Sequence, residues 1–162
     1  MDITKKTSEF KALSRVAIKA ELMKIHLLSC KVTRSIDALD YSKVNAKINF
    51  SGDLHSKSSD NFTAIVKISI NGCIHDEEDK DIIVFDCEYM LNYALTEEND
   101  LPDEDIEIFC SMNAIYNAWP FCRELLQSMT QRMELPVLTL PLLKFRPPKP
   151  SHKKCKNKDE SN

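Results

Sequence analysis

Catalysis by side chains needs convergent sets of groups, and the candidates in this 162-residue chain do not form one. His26, His55, His75 and His152 are isolated from one another along the chain. The six cysteines, at 30, 73, 87, 110, 122 and 155, include no C-x-x-C pair, so neither a metal site nor a bound cofactor is expected. Paired carboxylates can perform general acid and base chemistry, but the acids here fall in turns and loop runs without a convergent histidine or metal-ligand set. With only Gly52 and Gly72 there is no loop to cradle a phosphate. The reading is therefore of a protein that is not an enzyme. A start without a basic-then-apolar leader, and thiols in no disulfide-like pattern, add the expectation of a reducing, cytoplasmic location. No apolar run approaches the roughly 18 residues that cross a bilayer, so membrane insertion is not expected.

What remains is the chemistry of binding, and here charge is informative. The net charge of -3 conceals a segregation. Residues 1–75 hold twelve bases and seven acids, 76–107 hold fourteen acids and one base, and Lys144 to Lys158 add seven bases. A concentrated acidic face raises the local concentration of basic partners. A lysine-rich tail can contact phosphates, but this one lacks interleaved aromatics and belongs to an acidic chain. Nucleic-acid binding is accordingly the weaker reading, beside a solubilising tail or an electrostatic lid over an acidic groove. Asp86 and Glu88 lie two apart in an alternating stretch and share a face, which fits either a partner-docking surface or the solvent side of a strand.

The elements that must position these groups follow from periodicity. Phe10, Leu13, Ala17 and Ala20 recur at three and four, which predicts an amphipathic helix over about 7–20 with Thr7 or Ser8 as its cap. Leu22 to Arg34 reads as a strand whose second half alternates. Val44, Ala46, Ile48 and Phe50 alternate cleanly, and Ser51-Gly52-Asp53 then signals a turn, followed by a polar loop from His55 to Asp60. Phe62 to Ile74 and Ile82 to Leu95 are two more strands, joined by an acidic turn from Asp76 to Lys80. Short polar connections favour antiparallel pairing. After Leu101-Pro102 the period becomes helical, with acids at 103–105 suited to a helix N-terminus. Pro120 should kink this helix or open a second one carrying Cys122, Leu125, Leu126, Met129 and Met133, which ends before Pro136. The apolar stretch 136–145, broken by Pro141, fits neither a regular helix nor a central strand. A Pro- and Lys-rich tail buries too little to offset its ordering entropy, so disorder is expected over 146–162.

The run from Asn117 to Phe145, NAWPFCRELLQSMTQRMELPVLTLPLLKF, resembles the helix and crossover loop of the SecB export chaperones. Trp119-Pro120, Phe121 and Arg123-Glu124 match the family's aromatic-Pro-aromatic-x-Arg-Glu pattern. Leu135-Pro136, Leu138, Leu140 and Phe145 follow its loop, and Phe85-x-Cys87-Glu88 resembles its fourth strand. The resemblance implies an α+β fold, a four-stranded antiparallel sheet packed on a long kinked helix, within a chaperone domain spanning 1–145. It implies a homotetramer, a dimer of dimers. It also implies a non-enzymatic holdase that takes unfolded or pre-secretory polypeptide clients in an apolar groove, with Leu138, Leu140, Leu142, Leu143, Phe145, Trp119 and Phe121 as client-binding residues. Delivery to the SecA translocase through acids on the sheet, here Asp86 and Glu88, stays open, because the first-strand positions that are acidic in the family fall at Lys31 and Ser35. Three departures mark a divergent member: the added first helix, a basic tail where a second helix usually forms a groove wall, and Lys31. The first helix resembles SecB-like chaperones dedicated to the antitoxin of a toxin-antitoxin system, which is the alternative function.

Overall fold

Alternating apolar residues dictate the centre of the molecule, because a strand sends successive side chains to opposite faces. The computed structural model describes residues 3–35, 44–74, 77–96, 101–135 and 137–143. In chain order the elements are α1 (Ile3–Lys19), β1 (Ala20–Arg34), β2 (Val44–Lys57), β3 (Asn61–Ile74), β4 (Glu77–Leu95), α2 (Asp103–Phe109), a π-helical turn (Cys110–Ala114) and α3 (Ile115–Arg132). The strands form one antiparallel sheet in the order β1-β4-β3-β2. The fold class is thus α+β, with β2, β3 and β4 as a meander and β1 added beyond β4. Phe62, Ala64, Val66, Ile68 and Ile70 of β3 meet Phe85, Cys87, Tyr89, Leu91 and Tyr93 of β4 on the face under the helices, and all are buried. Burying each large side chain of this set contributes about 1.5–3 kcal/mol.

Two of the turns expected from sequence are strand instead. β2 runs straight through Ser51-Gly52-Asp53, and the connection to β3 shrinks to the tight turn at Ser58–Asp60, closed by the Ser58 N–H donating to the Asn61 carbonyl at 2.8 Å. Gly52 pairs with Val66 across the sheet and is buried. Its reason is steric: a Cβ at Gly52 would run into the carbonyl oxygen of Cys110 and lie 3.0 Å from Ile115 Cγ1. The glycine lets a helix backbone touch the sheet. Likewise Glu77 to Lys80, read as part of an acidic turn, open β4.

β1 alternates poorly because it is bulged twice, between Leu22 and Lys24 and between Leu27 and Ser29. The extra residues, Met23 and Leu28, are large and exposed, and a bulged edge strand resists further pairing.

The helices lie on the single apolar face. α1 is docked on α2 by Arg15, whose Nε and Nη2 donate to the two carboxylate oxygens of buried Asp105 at 2.8 Å each. Phe109 stands edge-on to Phe62 and Tyr93, with ring centres 5.7 and 5.2 Å away, while those two rings stack at 4.8 Å. The helix does not restart at Pro120; α3 carries this proline in its interior, and the irregularity of the helical run is the π turn upstream of it. α3 ends where Leu135 N–H donates to the Thr130 carbonyl at 3.0 Å and Glu134 N–H to that of Gln131 at 3.1 Å. Arg34 Nη1 donates to the Met133 carbonyl at 2.8 Å. This paired closure places Glu134 in the left-handed region, φ 55°.

Two substitutions test these backbone arguments in urea unfolding. Gly52→Ala should lower stability by about 1–3 kcal/mol, since the added methyl displaces the π turn; an unchanged midpoint would return Gly52 to the role of a turn residue. Glu134→Gly should raise stability by about 0.5–1 kcal/mol by relieving the left-handed conformation.

Candidate functional site

The loop after α3 turns back along the helix and is fastened through its main chain. Leu138 N–H donates to Thr130 Oγ1 at 3.4 Å, Arg123 Nε donates to the Leu140 carbonyl at 2.8 Å, and Trp119 Nε1 to the Pro141 carbonyl at 2.9 Å. Thr130, Arg123 and Trp119 step toward the N-terminus of α3 as the loop advances, so the two segments run antiparallel. Leu140 is buried against the helix, and Leu143 brings the track level with Ile115 and Tyr116.

There Leu143 joins Phe10 and Leu13 of α1, Phe50 of β2, and Ile115 and Tyr116 of α3 around an open groove of about 350 Å3, with Ser111, Met112 and Asn113 along the π turn. Its walls are apolar yet wet: Phe10, Phe50 and Tyr116 keep 42%, 47% and 51% of their surface exposed. Phe50 is held by the edge of Trp119, with ring centres 6.1 Å apart at 76°. The groove borders β2, an outer strand of the sheet whose far edge no described strand pairs. An apolar cleft beside an unpaired strand edge can take an extended chain, with side chains in the cleft and main-chain bonds along the strand.

Along β2 the groove passes into a second hollow of about 400 Å3, lined by Gly52, Asp53, Leu54, Glu104, Glu107, Ile108 and the shared Ser111. Asp53, Glu104 and Glu107 are exposed and make no ion pair among the described residues, whereas Asp103 is bound by Lys57 Nζ at 2.7 Å and Asp105 by Arg15. Their field reaches inward: burial first, then the carboxylates of Asp53 and Glu107, push the Cys110 thiol up to about 12.

The outer face of the sheet carries a shallow depression containing Ser29, Ser51, Lys67, Ser69, Asp86 and Glu88. Asp86 stands opposite Lys31 of β1, and Glu88 opposite Lys67 of β3, with 3.9 Å between Lys67 Nζ and Glu88 Oε1. The two acids share the face expected of them, but each has a base across the strand, so the patch is charge-balanced.

Of the seven residues expected to contact clients, Leu143 lies in the groove. Trp119 and Leu140 are buried, Leu138 is half-buried, Leu142 and Phe121 are exposed outside the groove lining, and Phe145 lies outside the described residues. Sequence reasoning did not single out Phe10, Leu13, Phe50, Ile115 or Tyr116 for a site; Phe10, Leu13 and Phe50 read there only as the apolar side of their elements. The available signal was Phe50, one position before the Ser51-Gly52-Asp53 run, had Gly52 been taken as a contact with another element. No activated nucleophile accompanies the groove among the described residues. Burial raises the Cys30 thiol, and Cys87 lies far above its ordinary value through its contact with the Cys122 thiol at 3.7 Å and through burial. No described group of three or more His, Cys, Asp or Glu residues is arranged to hold a metal, and no described helix is long and apolar enough to cross a membrane.

No protein-family model matches the chain, and no curated protein does. Among solved structures, the Mycobacterium tuberculosis SecB-like chaperone Rv1957, in complex with a ChAD peptide from the Rv1956 HigA1 antitoxin, superposes with a TM-score of 0.74 at 18% identity. The match covers 84% of this chain and 99% of that one. A protein of unknown function from Streptococcus agalactiae matches over 76% of this chain and 97% of that one, with a TM-score of 0.44 at 11% identity. The chain has the SecB-like fold, at a sequence distance that makes it a divergent example.

The fastening of the loop makes a direct prediction. Trp119→Phe keeps a six-membered ring but removes the donor to Pro141 and the five-membered half of a buried indole, a loss of at least about 1 kcal/mol. Amide hydrogen exchange over 137–143 should accelerate about fivefold while β3 and β4 keep their protection; equal rates in both proteins would show that the loop is held by other contacts.

Proposed function

We propose that the chain is a molecular chaperone, a holdase that binds unfolded polypeptide segments in the groove between α1, β2 and the loop track. The observation that carries this reading is an open apolar groove beside an outer strand on a SecB-like fold. Exposed Phe10, Phe50 and Tyr116 offer rigid apolar contacts, and several such weak sites sum when copies assemble. The client contacts run through these residues and Leu143, with Leu142 and Phe121 extending the apolar surface and Trp119, Leu138 and Leu140 supporting it. The reaction is binding and release, with no bond made or broken.

Self-association into a homotetramer belongs to the same proposal. Leu22, Met23, Leu27 and Leu28 of β1 and Ile18 of α1 are large, exposed and adjacent in sequence, and covering them needs a partner. The choice of client divides two readings. The mycobacterial chaperone of the same fold binds a peptide from an antitoxin, which favours a dedicated antitoxin client. Delivery to SecA draws on Asp86 and Glu88, and the bases opposite them weaken an attraction that depends on net negative charge.

Two measurements test the proposal. A stoichiometric amount of the chain should suppress light scattering by an aggregating, slowly folding client, and Phe50→Ser with Tyr116→Ser should weaken capture about tenfold through lost apolar burial; no suppression by the unaltered chain would end the reading. In sedimentation the chain should run as a tetramer, and Leu27→Glu with Leu28→Glu should shift it to smaller species, whereas a stable monomer from the unaltered chain removes the assembly.

A further inference from the structure

Three of the described thiols meet between the sheet and α3. Cys87 of β4 and Cys122 of α3 are both buried, and their sulfurs lie 3.7 Å apart although 35 positions separate them in the chain. Cys30 of β1 stands directly opposite Cys87 in the register of the two strands, so its side chain leaves the sheet on the same face. Unlike the other two, it is exposed to solvent. Cross-strand partners of this kind have Cβ atoms about 4.5–5.5 Å apart, close to the roughly 3.5–4.5 Å of a disulfide. Cys122 adjoins Arg123, which holds the Leu140 carbonyl, and lies one turn from Trp119, which holds that of Pro141. A buried cysteine often serves only as a small apolar group. Here a second thiol in contact and a third at the solvent edge add a route for oxidation.

We infer that Cys30, Cys87 and Cys122 form a thiol relay that hydrogen peroxide oxidises to a Cys87–Cys122 disulfide, a reversible clamp of α3 on β4. The exposed Cys30 sulfur, as thiolate, attacks one oxygen of the peroxide; the O–O bond breaks, the other oxygen leaves as water with the thiol's proton, and Cys30 becomes a sulfenic acid. The Cys87 sulfur then attacks the Cys30 sulfur, the S–O bond breaks, and the hydroxyl leaves with the Cys87 proton as a second water. Last, the Cys122 sulfur attacks the Cys87 sulfur, and Cys30 departs with the Cys122 proton as a free thiol. In sum, two thiols give two hydrogens to one peroxide, which becomes two waters. The final exchange draws the sulfurs of Cys87 and Cys122 from 3.7 Å to about 2.05 Å. Burial and the neighbouring Cys87 hold the Cys30 thiol above its ordinary value, so its thiolate is scarce and the relay answers sustained oxidant rather than traces. In reducing surroundings the clamp is transient, and a dithiol opens it by exchange. None of these steps depends on the holdase reading.

The test treats the folded, full-length chain with hydrogen peroxide, blocks the remaining thiols with an alkylating agent in denaturant, and maps the peptides without reduction. The expected product is a Cys87–Cys122 link with Cys30 alkylated. Cys30→Ser should slow that link about tenfold, since the solvent-facing entry is lost. Cys122→Ser should stop the relay at a Cys30–Cys87 link. Amide hydrogen exchange in α3 should slow severalfold in the oxidised chain and recover with dithiothreitol. Oxidation of Cys30 with Cys87 and Cys122 both still alkylated would overturn the proposal. So would a link that forms as fast without Cys30, or a Cys30–Cys30 link between two copies in place of the internal one. A Cys87–Cys122 link that leaves exchange in α3 unchanged would remove the clamp.

Discussion

One contact governs the rest of the molecule: the backbone of the π turn against the backbone of β2, with Gly52 under the Cys110 carbonyl. A helix normally stands off a sheet by the length of its side chains. Removing the Cβ from one partner lets the helical run descend onto the outer strand at this point. Ile115 comes down beside Gly52, while Phe50, two residues away on the same face, stays upright against Trp119. The groove is the space left between a strand that is close at Gly52 and a helix flanked by α1 and the returning loop.

The same contact explains why the helices differ in how they are held. Near the π turn, backbone proximity and the Phe62, Tyr93 and Phe109 rings provide dense packing, and Asn117 Nδ2 donates to the Tyr93 hydroxyl at 3.0 Å. α1 is held instead by its buried Ala12 and Val16, by Thr96 N–H donating to the Lys19 carbonyl at 2.9 Å, and by the Arg15 fork to Asp105, a charge-assisted pair with one partner buried. Removing one member of such a pair strands the other, so α1 is committed to its position even though Phe10 and Ile18 are left exposed.

Legibility in the sequence followed the regularity of each element. β3 and β4 are central and unbulged along their apolar stretches, so Phe62 to Ile70 and Phe85 to Tyr93 alternate as written, and both were visible. β1 lost its alternation to Met23 and Leu28, each of which shifts the phase of the strand by one. Gly52 carries the same letter whether it turns the chain or admits a helix, and local sequence cannot distinguish these because the deciding atom belongs to Cys110. The groove was hidden for a related reason. Phe10, Phe50 and Tyr116 sit on apolar stripes that predict burial, and their exposure arises from where β2 falls in the sheet, a fact of topology rather than of period. The loop's Leu and Pro pattern showed that 136–145 is neither a regular helix nor a central strand, but not that Arg123 and Trp119, matched there to the family's motif, fasten its main chain.

That course is fixed by the carbonyls of Leu140 and Pro141, atoms every residue type possesses. Arg123 and Trp119 therefore fasten the loop without specifying what its side chains are. Exchanging the exposed residues at 137, 139 and 142 would leave these bonds in place. Such separation of fastening from display leaves the outward side chains free to vary without loosening the loop.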